Sequence, residues 1–193
     1  EDPYLTLSAL RMTHAARTRY MVEQGMIDLA GNKVGPPLRD ISALVKGKQR
    51  DFTIYLWARR AVAMLTDPQG PREAGLSLAD ARQIITELDT PQFQLAANQV
   101  YEWNDGVLNY AAQSSELFRG VVERVRHRDP GNYIPLQREF AELDTIWGRA
   151  SARAGATRQS PVRRLKGSWR RIKDPFQTMI AQAEQTVRQA HSR

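Results

Sequence analysis

A cluster of arginine and lysine near the carboxyl end is the part of this sequence best suited to binding chemistry. Between positions 158 and 173 there are seven Lys or Arg, no Asp or Glu, and one tryptophan. Guanidinium groups pair with phosphate oxygens, and an indole ring stacks on an unpaired base or on an arginine plane. We call residues 158–173 the basic segment. Its predicted contact residues are Arg158, Arg163, Arg164, Lys166, Trp169, Arg170, Arg171 and Lys173.

Three interpretations of the basic segment are open from the residues alone. It binds nucleic acid, it docks on an acidic face of the same or a neighbouring protein domain, or it is a solvated loop without a partner. Contacts to phosphates would make binding fall steeply with salt, because the displaced counterions are released into solution. Salt dependence therefore separates the first interpretation from the third.

The charge of the chain is concentrated at its end. The net charge is +7, yet residues 1–147 carry 17 Lys/Arg against 19 Asp/Glu, whereas residues 148–193 carry 11 against 2. A basic end and a slightly acidic body also permit head-to-tail self-association. The expected partners are therefore DNA, acidic protein surfaces or a second copy.

The three histidines do not suggest a metal or catalytic site. His14, His127 and His191 lie far apart in the sequence, and the chain has no cysteine. Zinc sites normally need several Cys or His ligands at short spacings. The sequence also has no glycine-rich phosphate loop and no GxSxG elbow. We expect no cofactor, no metal and no catalytic residue.

One pair of acidic residues has the helical spacing that two catalytic carboxylates could use. Glu102 and Asp105 are three positions apart and would share a helix face. Arg59 and Arg60 offer cationic partners, and we favour intramolecular ion pairing with Glu102 or Asp105 over phosphate binding or acid–base catalysis. Exposed pairs of this kind contribute only about 0–1 kcal/mol each. The sequence therefore predicts no reaction.

The elements that would position these residues are helices. The class is all-α, an irregular bundle of about six to eight helices, because no stretch alternates with the period of a strand. Residues 26–35 are the exception, since Gly31-Asn32 between two short apolar pieces fits either a small hairpin or an irregular loop. Helices are predicted over residues 4–24, 38–45, 52–65, 77–88, 90–112, 115–125 and from 174 onward, and residues 136–147 are expected to be helical or mixed.

Local signals set most of these boundaries. Ser77, Thr90 and Ser115 each precede an apolar-periodic run and are typical N-caps, and proline follows Thr90 directly. Gly25 suits the left-handed position just past a helix end. Asp174-Pro175 repeats the cap-plus-proline signal of Thr90-Pro91 and starts the last helix.

Apolar periodicity predicts the buried faces. The helix over 52–65 has a broad apolar surface, with Arg59 and Arg60 on a different side. On the helix from 115, one buried stripe is expected from Leu117, Val121, Val122 and Val125. On the last helix, the expected stripe is formed by Phe176, Met179, Ile180, Ala183 and Val187.

The chain is predicted to divide into a helical core over 1–147 and a basic loop with a C-terminal helix over 148–193, which packs on the core or extends from it. A proline-bracketed turn is expected at 129–135 and a small-residue loop at 150–160. No apolar run reaches the length of about 18 residues that a membrane-spanning helix needs. The chain begins with Glu rather than Met, which indicates a piece of a longer protein.

Four motifs in order give a resemblance to a known family. They are Ala58-Arg59-Arg60-Ala61, the acidic-to-tyrosine run over 105–110, Asn132-Tyr133-Ile134-Pro135 and Lys166-Gly167-Ser168. From about residue 9 onward, the chain resembles the large polyvalent protein-associated domains found in very long proteins of tailed bacteriophages and related mobile elements. Gly106, Asn109 and Gln137 depart from the family pattern, and the first two are expected to weaken the middle of the long helix.

The resemblance implies a non-catalytic helical scaffold or interaction module within a multi-domain phage protein. Such proteins are packaged in the virion and enter the bacterial cytoplasm with the DNA, and their other domains include polymerases and helicases. The implied function is therefore a structural and interaction domain whose basic segment contacts DNA or an acidic protein surface. The alternative is an accessory nucleic-acid-binding domain of a phage polymerase or helicase.

Overall fold

A computed structural model describes residues 3–72, 74–128, 162 and 174–191, with side chains from Thr13 onward. These residues form seven helices and no strand, so the predicted all-α class is confirmed for the described part of the chain. None of the described helices has the length and apolar character needed to span a membrane. The helices are α1 (Pro3–Glu23), α2 (Leu38–Leu44), α3 (Gln49–Leu65), α4 (Leu78–Leu88), α5 (Pro91–Ser114), α6 (Glu116–Arg128) and α7 (Pro175–His191).

The three predicted N-caps are confirmed. The hydroxyl of Ser77 accepts a hydrogen bond from the backbone N–H of Asp80 at 3.0 Å. Thr90 accepts from the N–H of Phe93, and Ser115 accepts from the N–H of Phe118, each at 3.2 Å. A cap of this type contributes about 1 kcal/mol, because it satisfies a backbone donor that the helix itself leaves open.

A tight turn follows α1 where the sequence left a hairpin and a loop as alternatives. Gly25 ends the helix with φ +141°, and a Cβ there would lie 2.7 Å from the carbonyl oxygen of Gly35, so only glycine fits. One antiparallel bridge joins Ile27 and Lys33, and no strand extends from it. Inside the bridge, the Asp28 carboxylate accepts hydrogen bonds from both Asn32 amides, which lower the pKa of Asp28.

The chain forms two compact units, and the division falls within α5. Unit 1 contains residues up to Leu44, the part of α5 from Asn98, α6 and α7 from Phe176. Unit 2 contains residues 45–97, with α3, α4 and the start of α5.

Unit 1 is built around large side chains on α1 and α5. Trp103 and Tyr110 of α5 are fully buried, as is Met26 from the turn after α1. Gly106 makes room for Met26, since a Cβ at position 106 would lie 2.6 Å from the Met26 Cγ. Four of the five predicted stripe residues of α7 are buried, and Ile180 is half-buried.

The expected weakness in the middle of α5 is not found. The helix runs without a break from Pro91 to Ser114. Gly106 is required by the contact with Met26, and the Asn109 side chain donates to the Asp105 carboxylate one turn earlier at 3.0 Å. Tertiary packing and a side-chain pair therefore offset the low helix preference of these two residues.

Unit 2 has an aromatic core. Phe93 meets Phe52 edge-on, with ring centroids 5.3 Å apart, and meets Tyr55 at 5.6 Å in a tilted arrangement. The predicted broad apolar surface of α3 is buried, but the prediction that Arg60 lies outside it is wrong. Arg60 is only 5% exposed, because α3 is enclosed over most of its circumference.

The predicted stripe on α6 is also wrong in part. Leu117 is 76% exposed and Val121 is 39% exposed, whereas Val122 is buried. Phe118 and Val125 are half-buried, so the inward face follows positions 118, 122 and 125 rather than 117 and 121. The turn at 129–135, residues 136–147 and the loop at 150–160 lie outside the described residues.

Candidate functional site

The predicted contact residues of the basic segment lie outside the described residues. Val162 is the one described position within that segment, and it is buried. The prediction for Arg158, Arg163, Arg164, Lys166, Trp169, Arg170, Arg171 and Lys173 therefore stays a prediction.

The carboxylate of Asp105 is used in an ion pair. Arg126 of α6 donates to it through two nitrogens, at 2.6 and 3.1 Å, and also donates to the side-chain Oδ1 of Asn109 at 2.7 Å. Arg126 was not among the partners expected from the sequence. Both side chains are about half exposed, so water screens the pair and its contribution is about 0–1 kcal/mol. This geometry has a structural role.

The histidines at the two ends of the chain are brought together. His14 of α1 and His191 of α7 stack with ring centroids 5.3 Å apart and an interplanar angle of 26°. The third, His127, is exposed on α6. Among the described residues there is no group of three or more His, Asp or Glu that could hold a metal ion.

The stacked pair belongs to a hydrogen-bond chain in unit 1. An Arg17 nitrogen donates to the Tyr110 hydroxyl at 3.1 Å and to the Leu29 carbonyl at 3.2 Å. The Tyr110 hydroxyl lies 2.7 Å from Nε2 of His191. The Leu29 backbone N–H donates to the Gln113 side chain at 2.9 Å, which ties the turn after α1 to the end of α5. Three helices and one turn thus meet at this chain.

Burial sets the electrostatics of the unit 1 chain. Burial lowers the pKa of His191 from its ordinary 6.5, and the neighbouring Arg17 and His14 lower it further. Burial also raises the pKa of Tyr110, although Arg17 opposes that change. His14 is 8% exposed, and its Nε2 has no hydrogen-bond partner among the described residues. The site therefore favours the neutral forms of His191 and Tyr110.

Unit 2 contains a second hydrogen-bond chain, which also begins with an arginine and a tyrosine. An Arg59 nitrogen lies 3.5 Å from the Tyr55 hydroxyl, and its guanidinium carbon lies 5.6 Å from the centre of that ring. Tyr55 donates to the Asp89 carboxylate at 2.6 Å, and Gln94 donates to the other carboxylate oxygen at 2.8 Å. The terminal acceptor is a carboxylate here and an imidazole in unit 1.

The pKa values of Tyr55 and Asp89 are both shifted in unit 2. Burial raises the pKa of Tyr55 to about 12, and the bond to Asp89 adds to this. The Tyr55 hydroxyl, followed by Gln94 and Arg59, lowers the pKa of Asp89, while desolvation opposes the change. Asp89 is exposed, so it stays solvated while it accepts both bonds.

The arrangement in unit 1 does not suit catalysis on a large substrate. A tyrosine that accepts from arginine and is hydrogen-bonded to histidine has the groups of an activated nucleophile. Tyr110, however, has 0% relative exposure, so a polymer cannot reach its oxygen in this conformation. The hydrogen-bond chain of unit 1 can instead couple the protonation of His191 to the docking of α7.

Sequence reasoning missed this cluster for an identifiable reason. His14 and Arg17 are three apart on α1, and that spacing places them on one face. Tyr110 is 93 positions from Arg17 and 81 positions from His191, and no local pattern relates them. A terminal histidine at the end of an amphipathic helix was the one available signal.

The comparisons with known proteins give no relative. No family profile, curated protein or solved structure matches this chain.

Proposed function

We propose that this chain is an all-α, non-catalytic interaction domain of a phage polyvalent protein, and that its basic segment contacts DNA. Under this proposal the parent protein is carried in the virion and reaches the bacterial cytoplasm with the DNA. The other domains of that protein, or other virion proteins, are then its neighbours. The proposal extends the family resemblance of the four sequence motifs.

The uneven distribution of charge along the sequence is the observation that supports the proposal most. Residues 148–193 hold 11 Lys/Arg against 2 Asp/Glu, and the basic segment contains no acid at all. A run of cations without acidic residues of its own is suited to bind an anion, and DNA is the densest linear anion that a phage protein meets. Its phosphates bind Arg and Lys with release of counterions.

The described helices support a structural role for the rest of the chain. Asp105, one of two carboxylates considered for catalysis, pairs with Arg126. Arg17 of α1 donates to Tyr110 of α5, and Tyr55 of α3 donates to Asp89 at the end of α4, so these polar groups join separate elements. These contacts fit a domain that presents a binding segment rather than one that turns over a substrate.

A salt titration of DNA binding tests the proposal. The wild type is compared with a variant in which Arg163, Arg164, Arg170 and Arg171 are changed to Ala. We expect the wild type to bind with a steep dependence on salt and the variant to lose most of its affinity and most of that slope, since the slope counts neutralised phosphates.

A charge-matched control separates local contacts from net charge. Four exposed arginines on the described helices, Arg19, Arg39, Arg82 and Arg119, are changed to Ala, which removes the same four charges. We expect this control to keep most of the affinity. Equal losses in both variants would mean that net charge alone attracts DNA, and no binding by the wild type at modest salt would point to protein docking instead.

The accessory-domain alternative has one specific observation in its favour. Trp169 lies between Lys166 and Arg170-Arg171, and an aromatic ring among cations is typical of single-strand binding. Stacking contributes about 1–3 kcal/mol for each base. A W169A variant that loses single-strand binding but keeps duplex binding would support an accessory domain of a polymerase or helicase. Equal effects on both DNA forms would contradict it.

A further inference from the structure

The last turn of α7 is held by a chain of hydrogen bonds that begins at a group able only to donate, the Arg17 guanidinium. An arginine guanidinium can donate but cannot accept, so the Tyr110 hydroxyl oxygen must accept the bond from Arg17. The single hydroxyl hydrogen of Tyr110 is then available for His191, whose Nε2 lies 2.7 Å away. In the tautomer that carries its proton on Nδ1, Nε2 of His191 accepts this hydrogen, because an imidazole nitrogen accepts only when it carries no proton.

Protonation of His191 therefore removes the acceptor at the end of the chain. The protonated Nε2 would become a donor facing an oxygen whose own hydrogen already points toward it. Tyr110 would then have to accept from both neighbours and turn its own hydrogen toward another group. Its side chain has 0% exposure, so water does not replace the lost acceptor. The hydrogen-bond geometry thus distinguishes the two protonation states of one ring.

The groups that face His191 also disfavour its charge. From α1 it meets the Arg17 cation and the stacked ring of His14, and from α5 it meets the Tyr110 hydroxyl. On its own helix, Arg188 is paired with Glu184 at 2.9 Å. The carboxyl end of α7 favours a cation, but burial and the two neighbouring basic groups outweigh it and lower the pKa of His191.

We propose that the Arg17–Tyr110–His191 chain is a pH-sensitive latch, which holds the last turn of α7 to α1 and α5 while His191 is neutral and releases it on protonation. The proposal does not depend on DNA binding. It assigns a regulatory role to α7, the helix that follows the basic segment in the chain.

The pH window follows from the direction of the shift. A histidine with a lowered pKa in the docked state binds its proton more readily when α7 is released. The contribution of the latch is therefore complete above 6.5, the ordinary value, and is lost as the pH falls from 6.5 through the lowered value.

An NMR titration of the whole 193-residue chain tests the latch. Backbone amide signals of α7 and the ring signals of His191 are followed as the pH falls through 6.5. We expect His191 to titrate below 6.5, and we expect the hydrogen exchange of the last-turn amides of α7, corrected for intrinsic rates, to rise several-fold with the same midpoint. In H191Q, whose amide oxygen can still accept from Tyr110 but does not titrate, the rise should disappear.

Two control variants assign the effect to one ring. H127Q alters the exposed histidine of α6 and should behave like the wild type. H14Q alters the stacked neighbour and should keep the transition with a changed midpoint. The latch is disproved if α7 exchange stays constant through the titration, if its midpoint differs from that of His191, or if H14Q rather than H191Q abolishes the transition.

Discussion

Units 1 and 2 each contain an arginine, a tyrosine and a terminal acceptor joined in that order, and they differ in the acceptor. In unit 2, the acceptor Asp89 is an exposed carboxylate that is also bonded by Gln94. In unit 1, the acceptor His191 is a half-buried imidazole stacked on His14. The same donor chemistry thus ends in groups that lose their acceptor function in different pH ranges.

The difference shows that the last residue of each hydrogen-bond chain sets the pH range in which the contact exists. The lowered pKa of Asp89 means that its contribution is complete above 3.8 and is lost as the pH falls through the lowered value. The contribution of His191 is complete only above 6.5. Between pH 6.5 and pH 3.8, the contribution of Asp89 is complete, while that of His191 has begun to fall.

The largest expected effect comes from the packing that places Tyr110. Gly106 lies one turn before Tyr110 on α5, and in G106A the new methyl group meets buried Met26. Overpacking of this kind costs about 1–3 kcal/mol, and the helix preference for alanine offsets at most about 1 kcal/mol. Urea unfolding should show a net loss of stability.

The matched control for G106A is G120A on α6. A Cβ there comes no closer than 3.7 Å, to an Arg124 nitrogen, so the helix preference should dominate and stabilise the protein by about 0.5–1 kcal/mol. If both variants gain stability, α5 is not packed on Met26 as described, and the placement of Tyr110 is in doubt.

The next effect separates the two tyrosine hydroxyls. Y110F removes the middle of the unit 1 chain and leaves the Arg17 cation without that acceptor, at a cost of about 1–2 kcal/mol. Y55F should cost less, about 0.5–1 kcal/mol, because water can replace the lost donor at exposed Asp89. Thermal and urea unfolding of the two variants near neutral pH provide the comparison. The opposite order would show that the unit 2 chain is the more strongly desolvated one.

These effects mark the limit of what the sequence could predict. The caps at Ser77, Thr90 and Ser115 were predictable because a cap involves residues two or three positions apart. The inward face of α6 was misjudged, since residues 117 and 118 are both apolar and only tertiary contacts decide between them. The site in unit 1 depends on contacts across 81 and 93 positions, for which one sequence carries no signal.

The smallest effect on stability, but a clear one on titration, is expected for D89N. The change removes the negative charge that helps to keep Tyr55 protonated, so the pKa of Tyr55 should fall from about 12, while burial, its largest cause, still acts to raise it. In the wild type, the neutral Tyr55 contributes stability that is complete below 10.0 and is lost as the pH rises toward 12. Ultraviolet absorbance of tyrosinate follows the change. An unchanged titration would mean that Asp89 does not interact with Tyr55 in solution.

The most direct test of the account is residue-resolved hydrogen exchange of the wild-type chain through a pH series that crosses 6.5 and ends above 3.8. After correction for intrinsic rates, we expect α7 to lose protection as the pH passes below 6.5, while α3 and α4 keep theirs. Parallel behaviour of α7 and the two helices of unit 2, whether both lose protection or both keep it, would contradict the claim that the terminal acceptor sets the acid sensitivity of each unit.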